Sequence, residues 1–281
     1  MFDLNAWAEP RRELLQQRLD GLFADAWPAP FAPMCLHPLQ TGGKRMRPLL
    51  TLAAYEAVGG QDTERALPAA LAIELVHTYS LVHDDMPCMD DDSERRGKPT
   101  THVLYGEDMA LLVGDALLTE AFRRIADAAL PAELAVAQLR ELSSAAGYLG
   151  MVGGQASDLG AEGPVTDIET LTRLHRGKTG ALIRCAVRMG ALAGGAKPMQ
   201  LQALTRFAEA VGLAFQLADD ILDADEDKGE DGPPSFVKLL GVDETRRRAR
   251  ELADQARASL EAVPNADALE ALALYTVERD L

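Results

Sequence analysis

Five aspartates fall within nine positions of this chain: Asp84, Asp85, Asp90, Asp91 and Asp92. Carboxylates this close repel one another and are hard to keep ionised unless cations lie among them. Such oxygen ligands suit Mg²⁺, Mn²⁺ or Ca²⁺ better than zinc. Three cationic residues follow shortly after them: Arg95, Arg96 and Lys98. These cations indicate that the metal's other ligand is a phosphate. A solvated acidic loop is the alternative.

A second acidic cluster lies in the segment FQLADDILDADED, which begins at Phe215 and contains Asp219, Asp220 and Asp223. In a helix, Asp219 and Asp223 share a face because they are four residues apart. Two apolar helices that end in facing aspartates would form a cage for several metal ions. A solvated acidic loop would explain one such cluster well, but it is a poor explanation for two.

The first cluster needs a break in its helix, because Asp84 and Asp90 are six residues apart and would diverge on a regular helix. Pro87 lies between them, and we expect the helix to break or bulge there and bring Asp90 back toward Asp84.

A basic segment lies upstream of these aspartates, where Pro48 suits the first turn of a helix. That places Lys44, Arg45 and Arg47 at the helix N-terminus, where an anion pocket is favoured. A surface basic cluster is the alternative.

The motifs resemble those of the trans-isoprenyl diphosphate synthases. LVHDDMPCMDDDSERRGKPTTH is similar to the family's first aspartate-rich motif in its DDxxxxD form, and FQLADDILD to the second. Further blocks match in family order: GGKRMRP at 42–48, GMVGGQASDL at 150–159 and HRGKTGALIR at 175–184. Together the blocks span about 40–241. Within the family they are most similar to the bacterial farnesyl diphosphate synthases.

The resemblance implies the condensation of isopentenyl diphosphate with an allylic diphosphate, dimethylallyl or geranyl, with three Mg²⁺ ions per active site and Mn²⁺ as a substitute. It implies metal ligands at Asp84, Asp90 and Asp219, with Asp85, Asp220 and Asp223 in support. Four residues would bind or act on the allylic substrate: Arg95, Lys178, Thr179 and Gln216. Four would hold isopentenyl diphosphate: Lys44, Arg47, His77 and Arg96.

Tyr79 lies five residues before Asp84, roughly 7 Å along a helix axis, where a growing prenyl tail would reach. In the family a large side chain at this position forms the floor of the pocket. Tyr79 followed by Ser80 resembles the bacterial C15 pattern, so we expect farnesyl diphosphate as the product. Geranyl or geranylgeranyl diphosphate, a class I terpene cyclase, and a silent regulatory subunit are the alternatives.

Composition favours an all-α fold, since apolar residues make up 47% of the chain, mainly Ala and Leu, and β-branched residues are sparse. We expect one polyprenyl synthase domain over residues 1–281, a bundle of roughly ten or more antiparallel helices around a central cavity. The net charge of −16 argues against a nucleic acid or an anionic membrane as partner. With no signal peptide, membrane span or disulfide pattern, a cytoplasmic protein is expected, and the family expectation is a homodimer.

Periodicity predicts helices at 3–24, Gly106–Leu130, Glu133–Met151, 243–261 and 265–279. The proline-rich stretch Trp27–Pro38 predicts a connection, and GMVGGQASDLGAEGP predicts a glycine-rich helix end. Thr166 with Glu169 predicts a capping box. Gly177 and Gly180 predict a kink that turns Lys178 toward a cavity, with close helix packing as the alternative.

One departure from the family pattern concerns the segment DGPPSFVKLLG, where Pro233 occupies the position of a lysine that contacts the allylic diphosphate. That contact would be missing unless Lys228 or Lys238 replaces it. The chain also ends in ERDL, at 278–281, instead of a basic tail.

Overall fold

The computed structural model describes residues 2–223 and 234–277, most of which are helical. In chain order the helices are α1 Leu4–Asp20, α2 Phe31–Leu39, α3 Met46–Ala57, α4 Leu67–Asp84, α5 Thr101–Tyr105, α6 Glu107–Ala126, α7 Ala132–Ala146, α8 Met151–Asp158, α9 Ile168–His175, α10 Ala181–Ala193, α11 Pro198–Asp223, α12 Phe236–Leu240, α13 Val242–Ser259 and α14 Asp267–Val277. A 3₁₀ turn covers Thr63–Arg65, and a π-helical turn, the π-turn below, covers Arg176–Gly180. The all-α prediction is confirmed.

The two strands of the described chain form one small hairpin, β1 Glu94–Arg95 and β2 Lys98–Pro99, paired antiparallel. This hairpin follows the first aspartate cluster directly. Arg96 sits in its turn with a φ of 56°. The hairpin therefore places Arg95 and Arg96 next to the aspartates through a short local structure.

The main hydrophobic core draws side chains from most of the helices, while α9 and α12 contribute to a second, smaller cluster with α11 and α13. Its centre is formed by α4 and α10, whose small and aliphatic side chains are almost completely buried. Helix α4 packs against α3 and α6, and α10 packs against α3, α7 and α11. Because α4 ends at Asp84 and α11 at Asp223, the packing of these helices determines where both acidic clusters lie.

Several sequence expectations about elements were wrong. Trp27–Pro38 is not a simple connection, because α2 forms there with Pro33 in its first turn, where proline is tolerated, and Pro38 in its last turn. The glycine-rich segment after Gly150 folds as α8. Helix α9 is capped by Asp167 instead of Thr166, since the Asp167 carboxylate accepts the Thr170 N–H at 2.9 Å.

Two expectations about elements agree with the structure. Pro48 lies in the first turn of α3, and the two predicted terminal helices form as α13, which begins one residue before the predicted start, and α14. All three cysteines are free thiols. No helix in the described ranges is both long and apolar enough to cross a bilayer.

Candidate active site

Two adjoining cavities lie among α3, α4, α8, α11 and the π-turn. The larger has a volume of about 980 Å³ and the smaller about 400 Å³. Four residues line both cavities: Arg47, His77, Leu81 and Thr179. Ligands in the two cavities would therefore meet at this common wall.

The larger cavity is lined by most of the cationic side chains that were predicted for the site. Its walls include Lys44, Arg47, His77, Arg95, Arg96, Thr179, Gln216 and Asp219. The Nε atom of Arg47 is buried and has no hydrogen-bond partner among the described residues. Burial lowers the pKa of Arg47 to about 10, opposed by Glu74 and Asp219, so the side chain still carries its charge at neutral pH. An anion in the cavity would supply the missing acceptor.

His77 lies at the wall between the cavities. Burial is the largest cause that lowers its pKa well below the usual value, and the neighbouring arginines, Arg47 first, add to it. The imidazole is therefore neutral at physiological pH. A neutral imidazole offers one N–H donor to an anion without adding another charge to the arginine cluster.

Arg45 also lines the larger cavity, but its charge is paired with a buried carboxylate. It adopts a left-handed conformation, with a φ of 52°, and is 6% exposed. Its guanidinium donates to Glu74 Oε1 at 2.5 Å, to Gln16 Oε1 at 2.8 Å and to the carbonyl of Leu39. Lys44 and Arg47 line the same cavity, and the Glu74 carboxylate offsets the charge of Arg45 there.

The smaller cavity is lined by Asp84, Lys178, Tyr79 and Ser80. Burial raises the pKa of Asp84 to about 6; Lys178 opposes this shift and Asp90 reinforces it. Gln155 of α8 donates its side-chain N–H to Asp84 Oδ1 at 3.0 Å. A carboxylate with a raised pKa, beside a second carboxylate, fits a site that is completed by a cation.

The chain turns back after α4, as the spacing of the aspartates required. Helix α4 ends at Asp84, and the Asp90 N–H donates to the Asp84 carbonyl at 2.8 Å. The helix ends three residues before Pro87, so the proline stands in the turn and not within the helix. Asp90 is exposed beside Asp84.

These carboxylates fit the way Mg²⁺ is bound. In the described ranges, no three His, Cys, Asp or Glu side chains form a group that could hold a metal ion. Mg²⁺ usually binds through one or two carboxylates together with substrate phosphates and water. Asp84, which lines the smaller cavity with Arg47 and Lys178, offers such a carboxylate, and Asp90 is exposed beside it.

Arg95 is held by two aspartates of the first cluster. Its guanidinium donates to Asp85 Oδ1 at 2.5 Å and to Asp92 Oδ2 at 3.0 Å. Asp85 is 4% exposed and lines neither cavity, so in the structure it anchors Arg95. Arg96 donates to the carbonyl of Gly42, which joins the hairpin to the basic segment before α3.

The predicted kink is the π-turn, which carries Lys178 and Thr179 into the cavity walls. Lys178 Nζ donates to Asp158 Oδ2 at 2.5 Å. A Cβ added at Gly154 would lie 2.1 Å from the Lys178 backbone nitrogen. Gly154 therefore lets α8 pack directly on the π-turn, which a side chain there would prevent.

Three contacts had not been predicted from the sequence. Gln155 and Asp158 lie in the GMVGGQASDL block, but their partners, Asp84 at the end of α4 and Lys178 of the π-turn, are distant in sequence. Asp220 accepts the backbone N–H of Phe236 at 2.6 Å, which ties α12 to α11. Asp223 is exposed and lines neither cavity.

His175, immediately before the π-turn, makes stability depend on pH. Its ring stacks on Phe236 at 5.5 Å, and both ring nitrogens are buried without described partners. Burial is the main reason that its pKa falls from 6.5 to about 4. The folded state therefore binds fewer protons than the unfolded state between these values, and stability is lost as pH falls from 6.5 toward 4.

We expect His175→Phe to remove this loss. From the two pKa values, His175 accounts for about 2 kcal/mol of the difference in unfolding free energy between pH 7 and pH 5. Urea denaturation at both values measures it. An unchanged pH dependence in the variant would show that His175 is not the group responsible.

A helical bundle whose cavities are lined by one aspartate of each cluster, Asp84 and Asp219, and by several arginines and lysines fits an enzyme that binds phosphorylated substrates. The family described as polyprenyl synthetase matches residues 29–237. The chain belongs to this family and is a prenyltransferase, as its resemblance to the trans-isoprenyl diphosphate synthases indicated.

Known relatives agree with this assignment. The chain is 47% identical to the farnesyl diphosphate synthase of Escherichia coli (strain K12) over 258 residues, 85% of this chain and 86% of the relative. It is 41% identical to the geranylgeranyl diphosphate synthase of Cyanophora paradoxa over 293 aligned residues, 99% of this chain and 97% of the relative. The crystal structure of an FPP/GFPP synthase from Zymomonas mobilis superposes with a TM-score of 0.87 at 39% identity, covering 97% of this chain and 99% of that one.

Proposed function

We propose that the chain condenses isopentenyl diphosphate with dimethylallyl and then geranyl diphosphate, and releases farnesyl diphosphate. The observation that carries the product assignment is Tyr79, which is 6% exposed and lines the smaller cavity together with Asp84. An allylic diphosphate bound at Asp84 would extend its tail toward this ring. The relatives named farnesyl diphosphate synthase, 47% and 44% identical, support the C15 product.

The reaction begins when the C–O bond between the allylic chain and its diphosphate breaks, and the bonding electrons leave with the diphosphate. The double bond of isopentenyl diphosphate attacks the resulting cation, and a proton is then lost to restore an alkene. Arg95 and Lys178 would bind the departing diphosphate, which accepts that proton. Fixed positive charges near developing negative charge lower such barriers strongly.

The second substrate would bind in the larger cavity. Lys44, Arg47 and Arg96 offer charged donors there, and neutral His77 offers one more. Thr179 lines both cavities and Gln216 lines the larger, so these polar groups would adjoin the reacting carbons. Leu81, at the common wall, contributes apolar surface that keeps water from the cation.

Mg²⁺ would be held by Asp84 and Asp90 on one side and by Asp219 on the other, with Asp85, Asp220 and Asp223 in support. When bound, it neutralises charge on the diphosphate and makes it a better leaving group. Asp85 would act through Arg95, which donates a hydrogen bond to it, and Asp220 through α12, because its carboxylate accepts the Phe236 N–H.

A geranylgeranyl product is the second candidate, favoured by the Cyanophora paradoxa relative of that name. One experiment separates the two. The purified chain is incubated with isopentenyl diphosphate, geranyl diphosphate and Mg²⁺, and the products are identified by chain length. A major C15 product supports the proposal, a major C20 product supports the second candidate, and no prenyl product contradicts both.

Tyr79→Ala should lengthen the product. Removal of the ring opens space at the end of the smaller cavity, so the tail can continue past the position where it now stops. Chromatography of the products under excess isopentenyl diphosphate measures the effect. Tyr148→Ala removes the same ring at an exposed position outside both cavities and is the matched control. If the Tyr79 variant makes no chain longer than wild type, the floor assignment is wrong.

We further propose a cytoplasmic homodimer. Helices α5 and α6 contact each other and expose Val103, Leu104, Leu111 and Leu112, each about half exposed, as a second copy would require. Light scattering measures the oligomeric state.

The departures from the family pattern stay predictions. Three of the positions concerned lie outside the described residues: Pro233, Lys228 and the ERDL end. Lys238 is described; it is exposed and lines neither cavity.

A further inference from the structure

We infer that His83, fixed in place by helix α6, supports the Tyr79 ring and thereby limits the depth of the smaller cavity. This makes His83 a positioning residue for product length and Gly114 of α6 the position that determines where His83 lies. The inference rests on the proposed function, because it assumes that a prenyl tail occupies this cavity.

Tyr79 and His83 are one helical turn apart on α4 and line the same cavity. Their ring centroids are 5.8 Å apart, with an interplanar angle of 79°. This edge-to-face contact places one ring directly against the other. A tail that pushes on Tyr79 would therefore also push on His83.

Helix α6 prevents His83 from moving away. His83 Nε2 lies 3.1 Å from the carbonyl oxygen of Leu111, within hydrogen-bond distance. The same nitrogen lies so close to Gly114 that a Cβ added there would be 1.9 Å from it. The ring thus rests on the α6 backbone and has no room to move further in that direction.

The glycine itself supports this assignment. Gly114 lies in the interior of a 20-residue helix, where Gly is less favourable than Ala by about 1 kcal/mol. It is buried, and the three atoms nearest to an added Cβ all belong to the His83 ring. Space for this ring is therefore the local reason for a glycine at position 114.

Two substitutions should shift product length in opposite directions. His83→Ala removes the support behind Tyr79, so the ring can move aside, and the major product should become longer by one isoprene unit. Gly114→Ala forces the His83 ring toward the cavity that it lines, and the product should become shorter by one unit. Product-length distributions under excess isopentenyl diphosphate measure both shifts.

The double variant separates the role of the ring from damage to the helix. In Gly114→Ala/His83→Ala the new methyl group meets no ring, so its products should match those of His83→Ala alone. His37→Ala is the matched control, because His37 also contacts a backbone carbonyl, that of Pro99 at 2.9 Å, away from both cavities. Product length, unlike total rate, does not change when a variant is merely less stable.

The outcomes distinguish a failure of the role given to His83 from a failure of the proposed function. If Tyr79→Ala lengthens the product while His83→Ala and the double variant give wild-type lengths, the role of His83 is wrong and the proposed function stands. If Tyr79→Ala also leaves the length unchanged, the cavity is not the site of the prenyl tail. If Gly114→Ala does not fold, the comparison of His83→Ala with the double variant still decides the question.

Discussion

Asp84→Asn is expected to lower kcat by about 10²–10³-fold, the range found when a single group that stabilises transition-state charge is removed. The amide keeps the shape of the side chain but loses the charge needed to hold Mg²⁺ against the diphosphate. Stability should not fall, because the carboxylate lies in a site where burial already disfavours its ionised form. Steady-state kinetics over a range of Mg²⁺ concentrations, with thermal unfolding in parallel, measure both effects.

Asp91→Asn is the matched control. It makes the same chemical change in the same cluster, at an exposed residue whose left-handed backbone, with a φ of 55°, asparagine also tolerates. We expect its kcat to stay near wild type. Equal losses in the two variants would mean that the net charge of the loop matters, and not the position of Asp84 at the cavity.

Arg45→Met is expected to destabilise the fold by about 3–5 kcal/mol, the usual cost of removing one partner from a buried ion pair. Both side chains of the Arg45–Glu74 pair are 4% exposed. The substitution leaves the Glu74 carboxylate, the Gln16 carbonyl and the Leu39 carbonyl without this donor. Urea denaturation measures the loss of unfolding free energy.

Two comparisons test whether the buried, unpaired charge of Glu74 causes the loss of stability. Arg45→Met combined with Glu74→Met should recover most of the loss, because no unpaired charge is then buried. Arg11→Met breaks the Arg11–Glu56 pair, whose side chains are 26% exposed, and a smaller loss is expected there because water can solvate the remaining carboxylate. Equal losses for Arg11→Met and Arg45→Met would contradict the role given to burial.

The functional motifs were predictable because their signals are local. Five aspartates in nine positions, and cations close behind them, could be interpreted without knowing what else they contact. The Ala- and Leu-rich composition predicted the all-α fold for the same reason, since helix propensity acts within a few residues. The family resemblance added the roles of separate residues, which local chemistry does not define.

Segments with conflicting local signals were predicted less well. Proline at Pro33 and glycine at Gly154 both argue against helix, yet α2 and α8 form. In α2 the proline falls in the first turn, where it is tolerated. In α8 the absence of a side chain at Gly154 is what allows the helix to contact the π-turn.

The sequence by itself determined the chemistry of this protein: the acidic clusters, the cations that accompany them and the helices that carry them. Only the tertiary structure decided that Arg45 turns inward to Glu74, 29 residues away, and that Gln155 orients Asp84 from 71 residues away. The physical reason is that local propensity acts over one or two helical turns, whereas contacts between distant residues depend on how whole helices pack.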